Sequence, residues 1–185
     1  MVELRSLASG DVDAVHALIS RMDVVRHMRF SLCSREESRK FLRDSLLESP
    51  SDPWRSIVRA ISDSPRRDLV GLCGVVILRG AEEGEIWYLV EPESWGKGIA
   101  STAVKHLLDF GFGELGLHRI WATCLPENPA SARVLEKVGM RKEGFLAKNL
   151  KIHGEWKSSF LYAMLAEEWS RTSSNLVTES GSVVG

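Results

Sequence analysis

A mixed α/β fold built on a largely antiparallel sheet is what this sequence of 185 residues predicts, and three observations predict it. Apolar residues alternate with polar ones in some stretches and recur every three to four residues in others, in the order β-α-α-β-β-β-α-β-α-β-β. Strand-like runs joined by short turns pair antiparallel, and those joined through a helix lie parallel; both kinds of connection occur. A hydrophobic content of 44% fills one core at this length, so residues 1–169 are expected to form a single domain.

The first strand is the alternating "VELRSL". "SGDVDAVHALISRM" follows with a Ser/Asp cap region and Val12, Val15, Leu18, Ile19 and Met22 at helical spacing. In "SREESRKFLRDSLLES", Ser34 with Glu37 three residues later makes a capping box, which predicts a second helix to about Glu48, ended by Pro50 and Pro53. "WRSIVRAI" and "LVGLCGVVIL" flank the turn formers of "SDSPRRD" and read as a hairpin, and "EGEIWYLVEP" is a strand stopped by Pro92. From Gly98 onward Ile99, Ala103 and Leu107, with Ala100, Val104 and Leu108, make one apolar stripe on a helix of about 15 residues. "LHRIWATCL" is a strand, "NPASARVLEKVGM" a short helix closed by Gly139, and the last segment two strands around a turn at His153 and Gly154. Residues 170–185 lack aromatics and periodicity and are expected to be a flexible tail.

Composition removes several classes. Lys and Arg number 24 against 25 Asp and Glu, a net charge of -1, which argues against a protein that coats nucleic acid or anionic membrane. No apolar run reaches the roughly 18 residues of a membrane span, and polar residues interrupt the N-terminal stretch too often for a signal peptide. Cys33, Cys73 and Cys124 have no metal-like spacing and read as reduced thiols of a cytoplasmic protein. No metal site is expected.

The chemistry concentrates around "EPESWGKGIASTAVKHLLDFGF", where Gly96 and Gly98 bracket Lys97 at the mouth of a helix. The first amides of a helix lack partners within it and, with the helix dipole, suit an anion. Glycines let the backbone approach a phosphate closely, and Lys97 adds a positive charge. A tight strand-to-helix turn would account for the same glycines. The third glycine of GxGxxG, an acidic partner on the next strand and the GxxxxGK[ST] spacing are missing, so a nicotinamide enzyme or an NTPase is not expected.

Three blocks taken together are more specific: "VEPESWGKGIASTAVKHLLDFGF", "LHRIWATCLPENPASARVLEKVGM" and "EGFLAKNLKIHGEWKSSFLYAML". In this order and spacing they resemble the diagnostic blocks of the GCN5-related N-acetyltransferase (GNAT) superfamily, and within it the branch that holds the ribosomal-protein N-terminal acetyltransferases. The likeness spans residues 2 to 167. The resemblance implies a mixed, mostly antiparallel sheet of six or seven strands with about four helices. It also implies that two central parallel strands, "EIWYLV" and "RIWATCL", splay to admit the pantetheine arm of acetyl-CoA. Amides of the loop Trp95, Gly96, Lys97, Gly98, Ile99, Ala100 and Ser101 would hold the pyrophosphate, and an amide near Leu89 and Val90 would meet the thioester carbonyl. Glu93 stands where the family usually has Gln or Arg, which matters little if amides do the binding.

Acetyl transfer to an amine needs a neutral amine, a proton acceptor, an oxyanion donor and a donor to the leaving thiolate. Many relatives place a tyrosine for the thiolate where this chain has Leu135. The resembled branch has Asn-x-x-Ser, here Asn128 and Ser131, with Asn128 bonding the pantetheine amide and Ser131 as the catalytic hydroxyl near the sulfur. Both residues would equally well start a helix. Glu85, where relatives hold an acidic residue near the amine, is the candidate base, with a solvated glutamate as the alternative. His118 is a further candidate for proton transfer, and His153 is expected to be solvated. Trp87, Trp95, Trp121 and Trp156 are expected in the core or the cleft wall, while Arg133 and Lys137 meet CoA phosphates or water. No cysteine stands at a nucleophile position, so direct transfer in a ternary complex is expected.

The acceptor wall should come from the first two helices and the last hairpin. Arg26, His27 and Arg29 could greet an acidic partner or form a solvated loop, and the branch's aspartate after "GEW" is Ser158 here. The chain is thus expected to be an acetyl-CoA-dependent N-acetyltransferase for a primary amine, foremost the N-terminal α-amine of a protein or peptide. Such an amine titrates at about 7.7 to 8.0 and asks less of a base than a lysine near 10.4. A small amine such as a polyamine or an antibiotic, and a non-catalytic acetyl-CoA-binding module, stand as alternatives. A two-fold homodimer is the commonest assembly for a soluble chain.

Overall fold

In the computed structural model, residues 2–30, 33–47, 54–63, 68–78 and 80–170 are described. The strands are β1 (Val2–Ser6), β2 (Trp54–Asp63), β3 (Asp68–Leu78), β4 (Glu83–Val90), β5 (Arg119–Cys124), β6 (Arg141–Ile152) and β7 (Glu155–Leu165). They form one sheet in the order β1-β2-β3-β4-β5-β7-β6. Every neighbouring pair is antiparallel except β4 and β5, which meet in parallel at the centre. The helices are α1 (Val12–Ile19), α2 (Met22–Val25), α3 (Arg35–Leu46), α4 (Ile99–Asp109) and α5 (Pro129–Lys137). None is long and apolar enough to cross a membrane among the described residues.

The period-2 alternation of β4 sorts its side chains between two cores. Ile86, Tyr88 and Val90 join the cluster that α4 and α5 cover with Ile99, Val104, Leu108 and Leu135. Trp87 and Leu89 join the opposite cluster, under Val15, Leu18, Val25 and Leu42 of the first three helices. Each such aliphatic side chain contributes about 1.5–3 kcal/mol on full burial, so both faces of the sheet are anchored.

The parallel pair is short. Glu83, Gly84 and Glu85 match Arg119, Ile120 and Trp121, and although both strands run on to Val90 and Cys124, no further register follows. A wedge therefore opens between them beyond Glu85, as the resemblance implies. At the closed end Arg119 bonds Glu143 at 2.5 Å and lies 3.8 Å from Glu83. Elsewhere side chains bridge the halves: Tyr162 on β7 donates to Glu136 on α5 at 2.9 Å, and Trp169 donates to Asp109 on α4 at 2.9 Å.

Several boundaries differ from the sequence expectation. The first helix breaks between α1 and α2, because Arg21 takes an extended conformation (φ -98°, ψ 123°) and commits its guanidinium to Asp23 and Glu93. The second ends at Leu46, and Pro50, Pro53, the β2–β3 turn and residues 171–185 of the expected tail lie outside the described residues. α4 runs into a π-helical turn over Phe110–Glu114, so the predicted length is filled by two helix types. His153 and Gly154 have φ of 48° and 85°, the two positive values that a two-residue hairpin turn favours.

The capping box forms as predicted: Ser34 Oγ accepts from the Glu37 amide at 3.3 Å and Glu37 accepts from the Ser34 amide at 2.7 Å. Ser34→Ala should cost about 0.5–2 kcal/mol, read in thermal unfolding as a Tm lower by roughly 2–4 °C per kcal/mol. An unchanged Tm would mean that the box holds nothing in place.

Candidate functional site

A cavity of about 490 Å³ occupies the wedge. From the α3 side it is lined by His27, Met28, Arg29, Phe30 and Phe41, and from the α5 side by Asn128 and Ser131. Glu85, Trp87 and Tyr88 of β4 and Thr123 and Cys124 of β5 form its walls. Because neighbouring residues of β4 point to opposite faces, the cavity joins groups that belong to two different cores.

At the end of β4 a 3₁₀ turn over Pro92–Ser94 leads into Trp95 and the glycine loop. Gly96 and Gly98 have φ of 73° and 78°, a region that side chains rarely adopt. A Cβ added at either would meet nothing within 4 Å. Backbone conformation, not crowding, thus requires glycine here, and the space outside is open to a ligand. The first helical bond of α4 runs from the Thr102 amide to the Gly98 carbonyl at 3.0 Å, which leaves the amides of Ile99, Ala100 and Ser101 without a helical acceptor. The side chains of Ile99 and Ser101 are buried, and Lys97 is exposed. Glu93 accepts from Arg21 through both oxygens at 2.9 Å, so this departure from the family pattern ties the loop to the α1–α2 junction. Being exposed, the pair adds little stability.

Leu89 and Val90 divide their backbone groups between two sides. The Glu91 amide donates to Val70 on β3 at 2.8 Å, so by strand alternation Val90 faces the wedge and Leu89 faces β3. Trp95 Nε1 takes the Val90 carbonyl at 2.8 Å. Of the two residues named from the sequence, Val90 is the one whose N–H is directed into the wedge.

On the other wall Asn128 caps α5, its Oδ1 accepting from the Ser131 amide at 3.2 Å. The helix-start reading of these residues therefore holds together with their place in the cavity. Ser131 Oγ lies 2.9 Å from the hydroxyl of Tyr88, a residue that sequence reasoning passed over. Burial pushes Tyr88 well above the usual phenol range, although its bond to Ser131 acts in the other direction. Leu135, at the position of the family's tyrosine, is fully buried in the core. Burial pushes the Cys124 thiol up to about 11, which makes a poor nucleophile.

Glu85 is mostly buried and receives Arg29 Nη2 at 2.7 Å and the Thr123 hydroxyl at 3.5 Å. Burial raises its carboxyl above the ordinary range, and the charge and hydrogen bond of Arg29 pull it back in part. Arg29 and His27, open to a solvated-loop reading in the sequence, both line the cavity. Burial and the neighbouring Arg26 charge lower the His27 imidazole, which favours its neutral form. His118 is exposed at the closed end of the parallel pair, away from the wedge, so the structure does not bring it to the site. Trp156 is 60% exposed, against the expectation of a core or cleft residue; it pairs with Lys151, one step from the two-residue turn of the β6–β7 hairpin. Ser158 accepts from the Lys148 amide at 3.0 Å and braces a bulge in β6. Arg133, Lys137 and His153 are exposed.

The Glu85 titration offers a direct check. Arg29 favours the charged carboxylate, so Arg29→Ala should move the Glu85 pKa further up, and the carboxyl should protonate earlier as pH falls. Carbon-detected NMR titration reads this shift; a pKa that stays or drops would show that the ion pair is not formed in solution.

A family profile described as an acetyltransferase (GNAT) domain matches residues 2–141. The chain is 32% identical over 167 residues to an uncharacterized N-acetyltransferase of Bacillus subtilis, YnaD, across 90% of this chain and 95% of that protein. It superposes with a TM-score of 0.79 on an acetyltransferase of the GNAT family from Bacillus anthracis, 33% identical, covering 90% of this chain and 96% of the other. A spermidine N-acetyltransferase of Vibrio cholerae, solved in complex with CoA and spermine, gives a TM-score of 0.78 at 24% identity, over 91% and 98% of the two chains. That last likeness speaks for the fold alone.

Proposed function

We propose an acceptor class on the premise that this chain belongs to the acetyltransferase (GNAT) family and is an acetyl-CoA-dependent N-acetyltransferase: it acetylates a primary amine borne on an apolar frame, foremost the N-terminal α-amine of a protein or peptide. The make-up of the α3 side of the cavity carries this assignment. Met28, Phe30, Phe41 and Trp87 line it, and its carboxylates are already matched, Glu85 by Arg29 and Asp44 by Lys40, each at 2.7 Å. A polycation entering such a space would need unmatched carboxylates to replace its hydration. An amine with one titrating nitrogen and an apolar body does not. The ribosomal-protein branch resembled by the sequence motifs fits this acceptor, and a polyamine, the ligand of the Vibrio cholerae neighbour, is the rival. Three cysteines, none in a disulfide, suit a reducing, cytoplasmic setting.

The residues present fit acetyl-CoA. The amides from Gly96 to Ser101, with Lys97, would hold the pyrophosphate at an open helix start. Asn128 has its Oδ1 committed to the Ser131 amide, so its NH₂ group is the part left for a pantetheine carbonyl. Val90 offers its N–H to the oxygen of the thioester as that oxygen gains charge. Glu85 takes the proton of the attacking amine, directly or through water, and its raised carboxyl makes it a better base than an ordinary glutamate. Ser131 donates to the sulfur as the carbon–sulfur bond breaks.

Release of CoA with pooled peptides differing in their first residue, set beside spermidine and spermine, tests the acceptor. Apolar and aromatic N-termini should exceed the polyamines by at least about tenfold in kcat/KM, about 1.4 kcal/mol; the reverse order would falsify the assignment. With an α-amine acceptor, kcat/KM should climb with pH and level off at about 8, whereas a rise continuing toward about 10.4 would name a lysine-type amine. Gly96→Glu places a carboxylate and an unfavourable φ at the loop, and calorimetry should show acetyl-CoA affinity down by at least about tenfold. Unaltered affinity would remove the loop from the cofactor site.

A further inference from the structure

Tyr88 lies on β4 beyond the last parallel pair at Glu85, and its ring packs against the core under α4 and α5. Its hydroxyl is 2.9 Å from Ser131 Oγ and 3.2 Å from the Ser131 carbonyl oxygen, and both residues line the cavity. We propose that Tyr88 is a positioning residue that holds Ser131 Oγ as its acceptor, so that the serine proton turns toward the sulfur of CoA as the acyl bond breaks. This rests on the reading of Ser131 as the donor to the leaving group.

One phenolic proton faces two acceptors. The Ser131 carbonyl is already placed to accept the amide of Leu135 one helical turn on, and Oγ is the nearer of the two. At rest the pair can close on itself, Tyr88 donating to the carbonyl and Ser131 donating to Tyr88, which withholds the serine proton. As negative charge develops on sulfur, two hydroxyl rotations reverse this: Tyr88 donates to Oγ and Oγ donates to sulfur. Each donor in such a chain is polarised by the one behind it. No proton leaves either hydroxyl, since burial disfavours the tyrosinate. The bonds balance accordingly. The amine nitrogen forms a bond to the acyl carbon, and the carbon–sulfur bond breaks with its electron pair on sulfur. The proton that finally neutralises the thiolate is the one released by the acetylated nitrogen, through Glu85 or water.

Leu135 fills the helix position from which many relatives present a phenol, and it is buried in the core. Tyr88 reaches Ser131 from the strand side of the wedge and acts through it.

Three variants decide the matter: Ser131→Ala, Tyr88→Phe and the two combined, each checked for folding by its melting curve. Tyr88→Phe keeps the ring in its packing and removes only the hydroxyl. It should lower kcat about tenfold, less than the loss of a donor that touches the reacting atoms, with KM for acetyl-CoA held within about twofold. The double variant should be no slower than Ser131→Ala, because a residue that acts through another adds nothing once that other is gone. Multiplying losses would overturn the proposal. Parent-like Tyr88→Phe with a slow Ser131→Ala would overturn it while leaving Ser131 in place, and a parent-like Ser131→Ala would overturn the role of Ser131 and this one together. A second readout is the ionisation of the thiol of bound CoA, followed by thiolate absorbance. Its pKa should rise in Tyr88→Phe, and an unmoved value would overturn the proposal. Should Tyr88→Phe fail to fold, a ring-fluorinated tyrosine at position 88 keeps shape and hydroxyl with a stronger donor. It should lower the bound thiol pKa, and no change would again count against the proposal.

Discussion

The early end of the β4–β5 pairing is the constraint on which the rest of this molecule depends. Three matched residue pairs are enough to fix the parallel register, and after them both strands continue without facing each other. Backbone groups left unpaired inside a protein are costly, so the wedge has to be furnished with polar partners. Trp95 supplies one by taking the Val90 carbonyl, and the Val90 N–H remains directed at whatever enters. An amide so placed is a donor fixed in advance by the sheet.

Opening the wedge without losing the sheet is a matter of packing. The halves of the sheet share few central hydrogen bonds, yet α4 and α5 lie across them and bury residues of β3, β4 and β5 in one cluster. Tyr162 and Trp169 bind the β7 side to those helices. At the closed end Arg119 holds Glu143 below the usual carboxylate range. A carboxylate lowered in this way stabilises the fold above its unfolded pKa and loses that contribution as pH falls, so acid should loosen the closed end while the apolar cluster is untouched. The apolar cluster thus braces the sheet across the wedge, and the charges of Arg119 and Glu143 brace its closed end.

Much of this was legible in the sequence, and the reason differs by element. Strands and helices follow from hydrophobic period, the second helix from Ser34 and Glu37, and the last turn from His153 and Gly154, all of them local signals. The glycine loop was found for a partly different reason than its structure gives, since positive φ at Gly96 and Gly98 is what demands glycine there. Tyr88 was illegible because a tyrosine inside "EIWYLV" is also an ordinary strand former, and its partner is 43 residues away. Arg29 was illegible for the same kind of reason: its bond to Glu85 spans 56 residues, while its immediate neighbours look like a solvated loop. The helix break at Arg21 likewise depends on Glu93, far along the chain.

Burial acts on two groups of the wedge in the same direction with opposite chemical results. It raises Glu85, so that this carboxylate takes up a proton more readily than an ordinary glutamate. It raises Tyr88 and thereby keeps a phenol protonated, able to donate and unable to act as a base. The strand makes this possible, because residues 85 and 88 fall on opposite faces: Tyr88 packs against the core under α4 and α5, and Glu85 meets Arg29 and Thr123 on the other. Arg29 offsets part of the rise at Glu85 by its charge and hydrogen bond, whereas at Tyr88 the opposing influence is a hydrogen bond to the neutral Ser131. A carboxyl raised on one face and a protonated phenol bonded to Ser131 on the opposite face are then consequences of one desolvated slot, separated by the thickness of a single strand.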